Sequence, residues 1–269
     1  GEMTSLMGDY TAAQTILAEA VPLARASGDP RALCRALYAL GDVYWRLGET
    51  AEARQALNES LALARTLGVV TRELFALNRL GTIALREDIA DAERMFKEVH
   101  ARALAAGNRE RTMAALINLG NLLNERQDFL AAREYTHQAY ALARVLGVQD
   151  VIALGALNLA DVDIKLGDFT AARSEIHEGL ALALRIGLPP RVLQAVRMCA
   201  YLNHYEGQTE RALSLLGLAQ RQPAWTDAHQ HDAETVLSQW ALDPEEVEAG
   251  LAKGAALDWD LTIQELLKG

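Results

Sequence analysis

The sequence predicts an all-α protein, a superhelix of antiparallel helix pairs that ends in a helical cap. Segments similar to GDFTAARSEIHEGLALALRIGL begin at positions 8, 48, 87, 127, 167 and 207, with spacings of 40, 39, 40, 40 and 40 residues. Hydrophobic residues make up 51% of the chain, and Ala and Leu are prominent among them. The chain shows no sustained Val/Ile/Thr alternation that would indicate strands. A fixed period of this length is typical of stacked repeats, because one helix pair cannot bury its own apolar face.

Each repeat is predicted to hold two helices, and the recurring segment is the second of them. In the first helices a small residue recurs at one position: Gly41, Gly81, Gly120, Ala160 and Ala200. Glycine within a helix costs stability, and it is tolerated where two helices cross too closely for a larger side chain. We therefore expect these positions to lie at helix crossings.

The predicted helix ends have local causes. Asp29-Pro30 is typical of a helix start, with Asp as the cap and Pro in the first turn. A left-handed glycine commonly ends a helix. Such glycines are predicted after the second helices and inside the hairpins, at Gly28, Gly68, Gly107, Gly147 and Gly187, and at Gly48, Gly167 and Gly207.

The repeat resembles the tetratricopeptide repeat, in which a Leu-Gly step is followed by an Ala and an aromatic residue. The second full repeat shows Leu80-Gly81, then Ala92 and Phe96. The period is 40 rather than the usual 34, and the proline that commonly follows the second helix is missing. The resemblance covers residues 8 to about 222 and implies a tetratricopeptide-like solenoid.

The predicted domain organisation has two parts, an array at 1–224 and capping helices at 225–269. The array divides into a half repeat at 8–29 and repeats at about 30–69, 70–108, 109–148, 149–188 and 189–224. Because the half repeat lacks its first helix, we expect the chain to be part of a longer protein. Beyond Gln222 the repeat stops. One further helix is expected up to Trp240, another from Asp243-Pro244, and a short one at the end.

Two further resemblances concern the parent protein. Long repeats of this kind are similar to those of bacterial signalling ATPases and of kinesin light chains. The last 28 residues, from Leu242, also resemble the C-terminus of large bacterial regulators, which join a STAND-type ATPase module to a repeat array. The resemblance implies the sensor array of a STAND-type ATPase or LuxR-type regulator, with an upstream ATPase or effector module as partner.

Composition narrows the partners and the compartment. The formal net charge is −10 and no basic run is present, which argues against direct nucleic-acid binding. No apolar run approaches the roughly 18 residues that span a bilayer, so no membrane partner is expected. Cys34 and Cys199 are predicted to be reduced core residues, which favours a cytoplasmic protein.

The sequence carries no catalytic motif: no phosphate loop, nucleophile elbow or HExxH. We therefore predict no enzyme activity, no catalytic residue, no cofactor and no metal. His137 and His177 are equivalent positions of adjacent repeats. For the cluster Asp227, His229, His231 and Asp232, a solvated acidic face is favoured over a metal site.

Tetratricopeptide arrays bind extended peptides or small ligands on a concave surface lined by their first helices. The resemblance implies the ligand-binding residues Tyr38, Asp42, Trp45, Asn78, Asn118, Asn121, Asn158, Asp161, Arg197, Tyr201 and His204. The asparagines suggest a row of carboxamides that grips a peptide backbone by donating and accepting hydrogen bonds. The alternatives are that the asparagines face water or backbone carbonyls, and that Trp45 is a packing residue.

These observations favour a non-catalytic module that binds a peptide, protein or small-molecule effector. Its first interpretation is the sensor domain of a bacterial STAND-type ATPase or transcriptional regulator. Its second is a free-standing scaffold or adaptor for protein–protein interaction.

Overall fold

The computed structural model describes residues 9–268, which form fourteen α-helices and no strand. The all-α fold class is confirmed. The helices are α1 Tyr10–Ala26, α2 Pro30–Arg46, α3 Thr50–Thr66, α4 Val70–Ala84, α5 Ile89–Ala105, α6 Arg109–Glu125, α7 Phe129–Leu146, α8 Gln149–Leu166, α9 Phe169–Arg185, α10 Pro189–Tyr205, α11 Thr209–Gln220, α12 Asp227–Trp240, α13 Pro244–Ala255 and α14 Trp259–Leu266. Gly8, the predicted start of the half repeat, lies outside the described residues.

The chain divides into two compact units, an N-terminal unit of residues 1–122 and a C-terminal unit of residues 123–269. In the N-terminal unit, helices adjacent in sequence pack together from α1 to α5, and the first helices α2 and α4 also touch. In the C-terminal unit the same order runs from α7 to α11, and the first helices α8 and α10 touch. Within each unit, therefore, first helices of successive repeats lie side by side.

Two of the predicted crossing glycines, Gly41 and Gly81, occupy tight helix contacts. A Cβ added at Gly41 would lie 2.7 Å from Leu57 Cγ, and one added at Gly81 would lie 2.7 Å from the Phe96 ring. The alanine that recurs in the second helices is fully buried in each described repeat: Ala13, Ala53, Ala92, Ala132, Ala172 and Ala212. Small residues on one helix therefore admit large residues from its partner, as the repeat pattern predicts.

Helix ends follow the predicted chemistry. The Asp29 side chain accepts hydrogen bonds from the backbone at the start of α2, with Pro30 as its first residue. Gly147 and Gly167 end α7 and α8 in the left-handed region, with φ of 69° and 81°. The other six predicted end glycines also have positive φ. Cys34 and Cys199 are buried and free, as expected.

Three helices follow the last repeat at the predicted places. Asp243 caps α13 and Pro244 begins it. Trp240 of α12 and Ile263 of α14 join the apolar core of the C-terminal unit. Helix α13 packs on α11, where Gly217 and Gly254 lie against the opposite backbone. The described helices thus cover the end of this core, as a cap would. The domain boundaries at 224 and 225 stay a prediction.

Candidate functional site

The first helices of the N-terminal unit present a charged and aromatic surface, which we call the N-terminal polar face. Asp42 of α2 pairs with Arg79 of α4 at 2.5 Å and with Arg46 at 3.0 Å. The Arg79 guanidinium also lies 4.3 Å from the centre of the Trp45 ring. Because Arg79 is only 19% exposed along its side chain, this cation–π contact is partly desolvated and correspondingly favourable.

An aromatic pair extends the N-terminal polar face along α2 and α4. The rings of Tyr38 and Phe75 have centroids 5.6 Å apart, and Arg111 of α6 lies 4.3 Å from the centre of the Phe75 ring. Burial raises the pKa of Tyr38, and the neighbouring Asp42 carboxylate raises it further. The Tyr38 phenol therefore stays protonated at neutral pH and can donate a hydrogen bond.

The predicted asparagines of this unit meet across the repeat. Asn118 Nδ2 donates to Asn78 Oδ1 at 2.8 Å, and both side chains are half-buried. This bond uses one donor of Asn118 and the acceptor of Asn78, so Asn78 Nδ2 and Asn118 Oδ1 retain their capacity for other partners. Asn121 is exposed on the same helix as Asn118. The sequence suggests that the asparagines bind a peptide, face water or face backbone carbonyls. A hydrogen bond between Asn78 and Asn118 is a further arrangement.

The C-terminal unit contains a polar cavity of about 710 Å³ between α8, α10 and α12. We call it the C-terminal cavity. Four predicted residues line it: Asn158, Asp161, Arg197 and Tyr201. The structure thus brings together in space four side chains that the sequence places in two different repeats.

Hydrogen bonds hold the α8 wall of the C-terminal cavity in place. Asp161 accepts from Lys165 Nζ at 2.8 Å and from Asn124 Nδ2 at 2.6 Å. Gln194 Nε2 donates to Asn158 Oδ1 at 3.1 Å and so joins α10 to α8. The protein's own side chains fix these polar groups in place, and preorganised groups lower the entropy cost of recognition.

Arg197 is the most buried charged group of this cavity, with only 9% of the residue exposed. Its Nη2 donates to Tyr201 Oη at 3.2 Å and approaches Asp232 Oδ2 at 3.4 Å. Its Nε is buried and has no hydrogen-bond partner in the described part of the chain. The guanidinium therefore has at least one buried donor without an acceptor in the described residues.

His204 does not line the C-terminal cavity, although it was predicted with Arg197 and Tyr201. Its ring stacks on Trp240 of α12 with centroids 3.9 Å apart and an interplanar angle of 10°. Its Nδ1 lies 3.2 Å from Thr209 Oγ1, and burial lowers its pKa. A neutral imidazole that packs on an indole contributes here to the contact between α10 and the cap.

Sequence reasoning missed Arg79, Gln194 and the α12 side of the cavity. Arg79 and Gln194 lie on first helices, so the helical period could have placed them on the same faces. Asp232 of the acidic cluster is exposed and also contacts Arg197. Its neighbour His229 accepts from the Thr226 backbone N–H, 3.1 Å away, in a capping box. Within residues 9–268 no three His, Cys, Asp or Glu side chains are placed to hold a metal ion. None of the described helices combines the length and apolarity needed to cross a membrane.

Comparison with known proteins gives a family match over part of the chain. A tetratricopeptide repeat family model matches residues 1–66. No curated protein shows significant sequence similarity to the chain. The repeat family is thus matched over the first quarter of the sequence, and the remainder is compared through its fold.

Several solved structures share the fold. A Rap protein complexed with the competence and sporulation factor superposes with a TM-score of 0.69 at 15% identity, over 99% of this chain and 72% of that one. The Rap conjugation gene regulator of plasmid pLS20, in complex with the Phr* peptide, gives 0.68 at 13%, with the same coverages of 99% and 72%. A tetratricopeptide repeat protein from Parabacteroides merdae gives 0.56 at 16%, over 99% and 94%. The chain therefore has a tetratricopeptide-like helical solenoid fold.

Proposed function

We propose that this chain is a non-catalytic module that binds an extended peptide or a protein segment through the polar faces of its first helices. The observation that carries the proposal is the C-terminal cavity, where Asn158, Asp161, Arg197 and Tyr201 converge from two helices. Concave sites with a few fixed polar groups are the usual form of ligand pockets. Two similar structures contain the competence and sporulation factor or the Phr* peptide, and their shared fold supports a peptide as the occupant here.

The N-terminal polar face supports the same proposal. Asn78 and Asn118 present carboxamides beside aromatic and arginine side chains. An extended peptide exposes alternating backbone donors and acceptors, and a carboxamide can satisfy both. A small-molecule effector that binds the same polar groups is a second possible type of ligand.

We further propose that the module is the sensor of a bacterial, cytoplasmic STAND-type ATPase or transcriptional regulator, whose upstream module responds to ligand binding. A ligand could shift that module only by its difference in affinity for the two states. A free-standing adaptor for a protein partner agrees equally well with the fold. The coding sequence upstream of residue 1 separates them: an in-frame phosphate-loop motif supports the sensor, and its absence from the full gene supports the adaptor.

Replacement of Asn118 or Asn158 by alanine is expected to weaken peptide binding about five-fold each, since one net hydrogen bond contributes about 1 kcal/mol. The probe is a peptide selected from a random library on the full wild-type chain, and the measurement is its fluorescence anisotropy. Asn58→Ala is the matched control, because Asn58 is exposed on the second helix α3. Circular dichroism should be unchanged in all three variants. Wild-type affinity in both test variants would contradict the proposal.

A further inference from the structure

We infer that the C-terminal cavity takes a carboxylate of the bound peptide, and that Asp232 competes with this carboxylate for Arg197 when no ligand is bound. The inference rests on the proposed peptide-binding function and adds to it the chemistry of the ligand and a self-competing contact. It rests on the buried Arg197 guanidinium, which has an unmet hydrogen-bond donor and only a weak contact with its counter-charge Asp232.

The first observation concerns the hydrogen bonding of Arg197. A guanidinium has five N–H donors and is always charged, and a buried charge is costly unless it is well paired. Here only Nη2 has hydrogen-bond partners, and Nε has none in the described residues. The guanidinium carbon also lies 5.9 Å and 6.0 Å from the ring centres of Tyr201 and Trp225. Arginine pairs best with a carboxylate through two parallel hydrogen bonds, and this arrangement is missing.

The second observation concerns the exposure of Asp232 and its contact with Arg197. Its side chain is 59% exposed, it lies on the cap helix α12, and its contact with Arg197 is a single one at 3.4 Å. Exposed, long ion pairs contribute little, so Asp232 can leave Arg197 for water at small cost. A carboxylate that binds with two hydrogen bonds would therefore replace Asp232 with a net gain.

The charges around the cavity favour a ligand carboxylate that takes the place of Asp232 over one that binds beside it. Lys165 is paired with Asp161, and Arg191 with Asp150. Glu125 also lines the cavity, and its pKa is raised by burial first and by Asp232 second. A further anion beside Asp232 would increase this repulsion. An anion that takes the place of Asp232 leaves the charge near Glu125 unchanged.

The test uses the immobilised full chain and three pools of random hexapeptides that contain no Asp or Glu unless stated. The first pool has a free C-terminal carboxylate, the second a C-terminal amide, and the third a C-terminal amide plus one Glu. Mass spectrometry measures the amount of each pool retained. The first and third pools distinguish a terminal carboxylate from a side-chain carboxylate.

We expect wild type to retain at least one carboxylate pool three-fold or more above the amide pool. Asp232→Asn should raise retention of that pool at least three-fold further and leave the amide pool unchanged. Arg197→Gln should abolish the preference, and Arg197→Lys should reduce it while keeping the charge. Asp227→Asn removes the same charge from the same helix without touching the cavity lining, so it should behave as wild type.

Other outcomes overturn the inference in distinguishable ways. Equal retention of all pools by wild type and Asp232→Asn would show peptide binding without carboxylate selection, so the proposed function would stand and the inference would fall. Equal gains in Asp232→Asn and Asp227→Asn would point to overall charge and would also overturn it. Retention of no pool by any variant would overturn the inference and count against peptide binding itself. Because Asp232 is exposed, its variant tests the inference even if an Arg197 variant fails to fold.

Discussion

Gly254→Ala is expected to lower the free energy of unfolding by about 3 kcal/mol, the upper part of the range for overpacked cores. A Cβ at this position would collide with the carbonyl oxygen of Ser214 in α11, and one at Gly217 would collide with that of Leu251 in α13. Backbone atoms cannot rotate away as a side-chain tip can. Helix α13 would therefore have to move off α11 and expose the core that it covers.

The sign of the change in unfolding free energy distinguishes a crowded glycine position from an uncrowded one. Alanine in a helix is favoured over glycine by about 1 kcal/mol, so an uncrowded position would be stabilised. Urea unfolding of the purified chain measures the change. Ala252→Val, on the exposed side of α13, adds bulk without a collision and should cost less than about 1 kcal/mol. A Gly254→Ala protein as stable as wild type would show that α11 and α13 do not meet through their backbones.

Glu175→Gln is expected to remove a pH dependence of stability from the C-terminal unit. Asp163 of α8 is fully buried and pairs with Arg133 of α7 at 2.8 Å. The Glu175 carboxyl of α9 interacts electrostatically with that of Asp163, and its Oε2 is buried without a hydrogen-bond partner in the described residues. Arg133 Nη2 also lies 3.3 Å from Asp168 Oδ2. Burial first, and the Asp163 carboxylate second, raise the pKa of Glu175 from 4.5 to about 8.

The direction follows from proton binding. Between pH 4.5 and about 8 the folded chain keeps the Glu175 proton and the unfolded chain does not. Stability therefore falls as pH rises through this window and levels off above it. The full shift would correspond to roughly 5 kcal/mol, and solvent screening of the half-buried side chain reduces our expectation to about 2 kcal/mol.

Urea titrations at pH 5, 7 and 9 test this dependence. Wild type should lose about 2 kcal/mol of unfolding free energy over the range relative to Glu175→Gln, whose amide cannot ionise. Glu178→Gln is the control, since Glu178 lies on the same helix and pairs with Arg144 at the surface. Parallel pH profiles for wild type and Glu175→Gln would mean that the carboxyl pair does not share a proton.

Much of the fold could be predicted because the repeat constrains the same positions again and again. Gly41 and Gly81 indicate close helix crossings, and in the structure they face Leu57 and Phe96. Helical periodicity also placed Arg197 and Tyr201 on one face, since they are four residues apart. These are local regularities, and they need no knowledge of distant contacts.

The rest of the candidate site depends on contacts that carry no period. The repeat ends at Gln222, so nothing in the spacing indicates which surface α12 would cover. The stacking of His204 on Trp240 and the contact of the exposed Asp232 with Arg197 therefore have no counterpart in the sequence pattern. Pairs between helices, such as Asp42 with Arg79, depend on which of several reachable partners lies nearest. The binding role of the predicted residues stays a prediction.

Hydrogen–deuterium exchange of the full chain, with and without a library-selected peptide, tests the central claim most directly. Slower exchange is expected in α2 and α4 if the peptide binds the N-terminal polar face. It is expected in α8, α10 and α12 if the peptide binds the C-terminal cavity. Second helices α3, α5, α7 and α9 should change little. Protection confined to those second helices, or none at saturating peptide, would contradict the account.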